Sequence, residues 1–217
     1  MHVALGHVWL VIGWPVTAKR AVDLLGVLLL LPMALPVLAV CALLVWARDG
    51  HNPLHAQWRV GRGGRPFRLW KLRSMVPGAE EDLADVLEAS REAARQWSEG
   101  AKIAQDPRVT PIGRMLRRYC LDELPQLWNV LRGEMSLVGP RPVPEAELRA
   151  FYHGPAARAY RKVLPGLTGL WQVSGRNALT YDRRVALDRD YVARQGLWLD
   201  LWILVRTVRE VLRGGGM

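Results

Sequence analysis

The sequence predicts a mostly helical α+β fold: one Pro-broken apolar helix near the N-terminus, then a compact domain with a β-hairpin and amphipathic helices. Three observations carry this. No charged residue occurs from Leu24 to Trp46, 23 positions, enough for a helix to enter a bilayer. From Gln57 to Leu72, two β-prone runs flank a turn at Gly63-Gly64. Elsewhere, caps and prolines precede stretches whose apolar residues recur every three or four positions.

The chain divides into residues 1–18, 19–48 and 49–217. The first stretch is an apolar leader without Lys or Arg, a poor signal peptide because the charged n-region is missing. Lys19, Arg20 and Asp23 open the membrane segment. Pro32 and Pro36 lie mid-run, where each removes a helical hydrogen bond and predicts a bend. Basic residues at both ends, Lys19-Arg20 and Arg48, prefer the same cytoplasmic side. A re-entrant helix that dips in and returns satisfies both facts; a simple spanning anchor is the alternative.

The hairpin follows as Gln57–Val60 and Pro66–Leu72. Ala79 to Trp97 places Leu83, Val86, Leu87, Ala94 and Trp97 at helical spacing under an acidic face, a solvated surface helix. Thr110-Pro111 caps a helix through Tyr119, with Ile112, Met115, Leu116 and Tyr119 expected inward. Helices are expected around 144–152, 156–163 and 182–194. Between them, Gly166, Gly169 and Gly175 lack any dinucleotide or Walker spacing. Leu197 to Leu212 is amphipathic, with an apolar stripe of Leu197, Leu201, Leu204, Val208 and Val211 beside Trp198 and Trp202. It suits either a membrane interface or core packing.

Composition narrows the partners. A net charge of +10 and a charged fraction of 23% exclude a purely membrane-embedded chain. Seven basic residues between Arg48 and Arg73 face one Asp49, so the excess charge lies beside the apolar run and favours anionic membrane lipids. No nucleic acid partner is expected, since no nucleic-acid motif accompanies the charge. Cys41 and Cys120 do not form a disulfide framework. His51 and His55 have metal-like spacing, but Pro53 lies between them, and both read as loop residues.

The chemistry concentrates between Arg117 and Leu131. Adjacent guanidiniums precede adjacent carboxylates, Asp122 and Glu123, and Pro125 then opens a short apolar helix that Gly133 stops. Spacing alone favours an acidic helix cap. Three runs, however, look like the signature of the bacterial sugar transferases, the monotopic phosphoglycosyl transferases: Ile112–Arg117, Leu121–Val130 and Met135–Pro142. The resemblance continues through Pro165–Asn177 and covers roughly Lys19 to the C-terminus.

The resemblance implies an enzyme that transfers a hexose 1-phosphate from a UDP-hexose to undecaprenyl phosphate, releasing UMP and initiating exopolysaccharide synthesis. It implies a phosphosugar-aspartate formed at Asp122, Glu123 as metal ligand or base, and Mg²⁺ held by Asp122 and Glu123. Arg117 and Arg141 match phosphate-binding arginines; Gln172, Arg176 and Asn177 are weaker candidates for nucleotide or sugar. Pro36 falls where the family breaks its re-entrant helix, with Leu35 replacing the family's serine. Cys120 stands where a Ser or Thr is usual. The acidic insert resembles the hexose-transferring branch. The catalytic domain is expected on the cytoplasmic face of a bacterial inner membrane, with a homodimer left open. A non-catalytic membrane adaptor of polysaccharide export is the rival from another class.

Overall fold

The computed structural model describes residues 16–100 and 102–214. The first helix, α1 (Val16–Asp49), runs uninterrupted through Pro32 and Pro36. It therefore extends the expected 19–48 segment at both ends, while residues 1–15 of the expected leader lie outside the described residues. Both prolines face outward, and the carbonyls they leave without a helical donor, those of Leu28 and Pro32, belong to α1 itself. One stripe of α1 (Asp23, Val27, Cys41 and Val45) is buried against the domain, whereas Leu29 and Met33 are 78% and 76% exposed.

Both ends of α1 are tied to that same domain. Lys19 Nζ lies 2.6 Å from Asp200 Oδ2, and the Arg20 guanidinium donates to the carbonyls of Val130 and Leu131. Asp23, buried, accepts from the Ser136 hydroxyl and the Leu137 amide, both at 2.9 Å. At the far end, Arg73 pairs with both oxygens of Asp49 at 2.6 and 2.7 Å. This holds the Asp49 carboxyl below its usual range.

The hairpin pairs β1 (Leu54–Val60) with β2 (Pro66–Leu72) antiparallel, from Leu54↔Leu72 to Val60↔Pro66. His55 thus lies in a strand, not in a loop, because pairing continues three residues before Gln57. The acidic insert is two helices, α2 (Leu83–Ala89) and α3 (Arg91–Gly100), rather than one. Ser90 is extended between them, and its hydroxyl accepts from the Ala93 amide, starting a second helix.

Helix α4 (Pro111–Arg118) has the expected cap: the Thr110 hydroxyl accepts from the Gly113 amide at 2.9 Å. Leu116 is fully buried and Ile112 partly so, but Met115 and Tyr119 are 41% and 39% exposed, against expectation. The reason is the helix's position: its inner face is used up by α1 and the bend after β2. Helix α5 (Gln126–Arg132) ends at Gly133 in the left-handed region, φ 75°. Asn129 fixes it to β2, accepting from the Trp70 amide and donating to the Arg68 carbonyl.

A second small sheet was not legible beforehand. Strand β3 (Ser136–Val138) pairs in parallel with β4 (Gly166–Thr168), the crossover being α6 (Glu145–Phe151) and α7 (Pro155–Lys162). A Cβ on Gly166 would lie 2.0 Å from the Gly139 nitrogen, so the two backbones meet only because both residues are glycine. Helices α8 (Tyr181–Arg194) and α9 (Leu197–Leu212) close the chain. In α9, Asp200 and Ile203 point inward while Trp198, Val205, Val208 and Leu212 are 60–77% exposed. Of the expected stripe, Val208 faces outward, Leu197 and Leu201 are 40% and 38% exposed, and Leu204 packs against the core, so α9 turns apolar side chains both inward and outward.

Candidate active site

Asp122 and Glu123 lie in a single 3₁₀ turn, Leu121–Glu123, between α4 and α5. Cys120 makes the corner before it, in the left-handed conformation at φ 54°, a strained choice for a non-glycine residue. Neither the turn nor α5 is capped by a side chain, so the helix-cap reading of Asp122 has no hydrogen bond behind it. Asp122 is instead buried, 8% exposed. Burial, then the Glu123 charge, push its carboxyl up to about 6 against the opposing pull of Lys71, Arg117 and Arg141.

The expected arginines converge on this pair. Arg141 Nη1 lies 3.3 Å from Glu123 Oε1. Arg117 makes no ion pair among the described residues; its Nε donates to the Ser74 hydroxyl at 2.9 Å, and its charge acts on Asp122. Gln172 is buried with Oε1 unpartnered, and Arg176, at φ 51°, donates from Nε to the Gln172 carbonyl with Nη1 unpartnered. The Arg176 guanidinium faces Cys120, whose thiol burial pushes up. The Asn177 side chain lies outside what the structure describes. Lys19, Arg20 and Asp23 dock α1 and take no part in this group.

Three cations near Arg141 escaped sequence reading as site residues: Arg59 and Lys71 on the hairpin, and Arg184 on α8. Lys71 had a signal, since in β2 the period of two puts it on the face of buried Phe67 and Leu69. Burial and the charges of Arg59 and Arg141 draw its ammonium down to about 8, against Asp122 and Glu123. Arg184 stacks on Trp171, 5.1 Å from the ring centre.

Among the described residues no group of three or more His, Cys, Asp or Glu could hold a metal. Adjacent Asp122 and Glu123 still offer two carboxylates, the donor set that suits a Mg²⁺ sharing its remaining positions with phosphate oxygens and water. Beside the turn, an apolar groove of roughly 340 Å³ runs between α1 (Leu31, Ala34, Leu38) and α5 (Leu127, Trp128), starting at Leu124 and Pro125.

Buried Asp122 and half-buried Glu123 thus lie among Lys71, Arg117 and Arg141, on a domain packed along a helix long and apolar enough to enter a membrane. The chain belongs to the bacterial sugar transferase family, whose sequence model matches residues 14–214. It is 49% identical over 198 residues to a UDP-galactose-lipid carrier transferase of Erwinia amylovora, covering 91% of this chain but 41% of that protein. It is 41% identical over 199 residues to the exopolysaccharide production protein ExoY of Rhizobium meliloti, covering 92% and 87%. A UDP-glucose:undecaprenyl-phosphate glucose-1-phosphate transferase of Caulobacter vibrioides is 41% identical over 202 residues, covering 89% and 69%. The chain thus spans about two-fifths of the Erwinia relative.

Proposed function

We propose that this chain transfers a hexose 1-phosphate from a UDP-hexose, UDP-galactose or UDP-glucose, to undecaprenyl phosphate, the first step of exopolysaccharide synthesis. The observation that carries this is Asp122, buried, free of any capping role, and set among the charges of Lys71, Arg117 and Arg141.

An Asp122 oxygen attacks the β-phosphorus; the bond from that phosphorus to the bridging oxygen breaks, and UMP leaves with the electron pair. A phosphate oxygen of undecaprenyl phosphate then attacks the same phosphorus, and the bond to Asp122 breaks, restoring the carboxylate. Arg117, Arg141 and Lys71 bind the non-bridging oxygens and offset their repulsion of the carboxylate. Asp122 and Glu123 would hold Mg²⁺, which when bound neutralises phosphate charge. Gln172, Arg176 and Asn177 take the nucleotide or sugar end.

Membrane placement follows the same reading. With both ends of α1 clamped to one domain, a re-entrant or membrane-surface path suits it better than a spanning one. The apolar groove beside Leu124 seats the first isoprene units of the acceptor, with its phosphate at the cations. The domain then lies on the cytoplasmic face of the bacterial inner membrane, where sugar nucleotides are made.

Intact-protein mass tests this. The full chain in nanodiscs is incubated with UDP-galactose or UDP-glucose and Mg²⁺ without acceptor, beside Asp122→Asn. A hexose-phosphate adduct with UMP release in the wild type alone supports the mechanism. Turnover that releases UDP, or none with any sugar nucleotide, overturns it and favours an adaptor.

A further inference from the structure

Arg141 sits on a short span of backbone fixed at both ends. On one side the Gly139 amide donates to the Thr168 carbonyl at 2.9 Å, and the Pro140 carbonyl accepts from the Gly166 amide at 2.8 Å. On the other, the Val60 amide at the end of β1 donates to the Val143 carbonyl at 3.0 Å. In an antiparallel ladder such a pair would return a second bond, from the Val143 amide to the Val60 carbonyl. Here the Tyr160 hydroxyl, brought by α7, stands in its place: it accepts from the Val143 amide at 3.2 Å and donates to the Val60 carbonyl at 2.9 Å. Tyr160, Val60 and Val143 are all buried, at 2–3% exposed, so water does not substitute for that hydroxyl. Only Arg141 and Pro142 lie between the two anchors, and the proline confines the backbone of the arginine before it to extended values. From this span the Arg141 side chain reaches Glu123, 3.3 Å away.

We propose that Tyr160 is a positioning residue for phosphate transfer, its hydroxyl setting where the Arg141 guanidinium stands against the carboxylates. This rests on the phosphosugar-transfer reading above, and Tyr160 acts through Arg141 rather than on substrate. The clamp also opposes a repulsion. Arg59 precedes Val60, and burial first, then the Arg141 charge, hold its guanidinium below the usual range. A hydroxyl that takes one bond from each stretch keeps two cation-bearing segments at a fixed separation against that force. A guanidinium held in place before the donor arrives gives up less freedom on binding it.

The test is a double-mutant cycle of Tyr160→Phe and Arg141→Ala in full chains in nanodiscs, with Tyr181→Phe as control. Tyr160→Phe keeps the ring that meets Tyr152 edge-on at 5.3 Å and removes only the hydroxyl. Tyr181→Phe removes another hydroxyl of the same cluster, one that donates to Glu147. UMP and adduct are read as initial rates at low UDP-galactose or UDP-glucose without acceptor, UDP binding by calorimetry, and folding by Tm. Tyr160→Phe should lower the rate and raise the UDP Kd by about fivefold or more, through a displaced guanidinium. In the Arg141→Ala background the same change should alter the rate by less than about twofold, while lowering the Tm equally in both. Tyr181→Phe should match the wild-type rate. A backbone ester at Val143, which removes only the N–H that Tyr160 accepts, should show the same coupling at smaller size, and it decides the matter if Tyr160→Phe does not fold. Equal losses with and without Arg141, or a wild-type rate in Tyr160→Phe, overturn the proposal. If the wild type forms no adduct, the cycle is read on UDP binding: coupling there keeps the positioning role and only the transfer reading falls, whereas additive losses, or no UDP binding by the wild type, sink both.

Discussion

The Arg117 Nε–H donates to the Ser74 hydroxyl at 2.9 Å, joining α4 to the bend that follows β2, 43 residues earlier. The same serine's carbonyl accepts from the Thr110 amide at 3.1 Å, at the cap of α4. One residue therefore sets both where the helix starts and where the Arg117 guanidinium lies.

Gly113→Ala should break that arrangement. A Cβ at Gly113 would lie 1.9 Å from the Ser74 carbonyl oxygen, so backbone must move, and overpacking of this kind costs about 1–3 kcal/mol or more. Adduct formation should fall by at least about tenfold through displaced Arg117. Ser74→Ala, which removes only the hydroxyl, should lose about 1 kcal/mol or less and weaken donor binding a few-fold. Thermal unfolding and donor titration of both variants check the order.

Asp23→Ala should loosen α1 from the domain. It strands the buried Leu137 amide, at about 1–3 kcal/mol, while the Ser136 hydroxyl keeps the Val138 carbonyl 3.0 Å away as its acceptor. The expected outcome is a lower Tm in nanodiscs and faster proteolysis between α1 and β1, while Asp23→Asn, which keeps one acceptor, falls between.

Asp188 should give the fold a pH dependence. Burial pushes its carboxyl up to about 8; Tyr152 donates to it at 2.6 Å, and the Arg141 charge pulls the other way. Because the folded value lies above the unfolded value of about 4, its contribution is fully present below pH 4 or so and is lost as pH rises through about 8. Asp188→Asn should remove that loss, so the Tm difference between variant and wild type moves in the variant's favour between pH 5 and 9. At about 2–4 °C per kcal/mol for a chain of this size, the change is measurable by calorimetry.

Trp198→Glu with Val205→Glu, on the outer face of α9, should weaken membrane retention without lowering the Tm of the detergent-held protein. Both side chains are about 70% exposed and touch no core cluster. Flotation with vesicles containing anionic lipid measures the first, calorimetry the second. An unchanged flotation would return α9 to a solvent face.

What could be seen in advance was what local rules govern. The bounds of α9, the Thr110 cap and the Gly133 stop follow from periodicity and capping, and the hairpin from its turn. The β3–β4 pair could not be seen, since two three-residue strands joined in parallel across 27 residues carry no local signal. Met115 and Tyr119 misled because an apolar helical stripe says nothing of whether it meets a core or faces outward. At the site, Asp122, Glu123, Arg117 and Arg141 were legible as a motif. Lys71 was not part of that motif, because only tertiary packing brings β2 against the turn that carries the carboxylates.

Helix α1 bares an apolar face on one side and is a structural wall on the other. Val27 is fully buried with Leu137 and Ile203, and Cys41 and Val45 pack with Leu72 and Leu116. A protein cut before β1 would therefore not be released into water as a working soluble half; it would lose part of its own interior and expose the patch that remained. Nor would another apolar helix of equal length serve as a graft, because the inner stripe must carry Lys19, Asp23 and Asp49 at their present spacing. The apolar outer face and the folding of the domain are here properties of one helix, and selection on either acts on both.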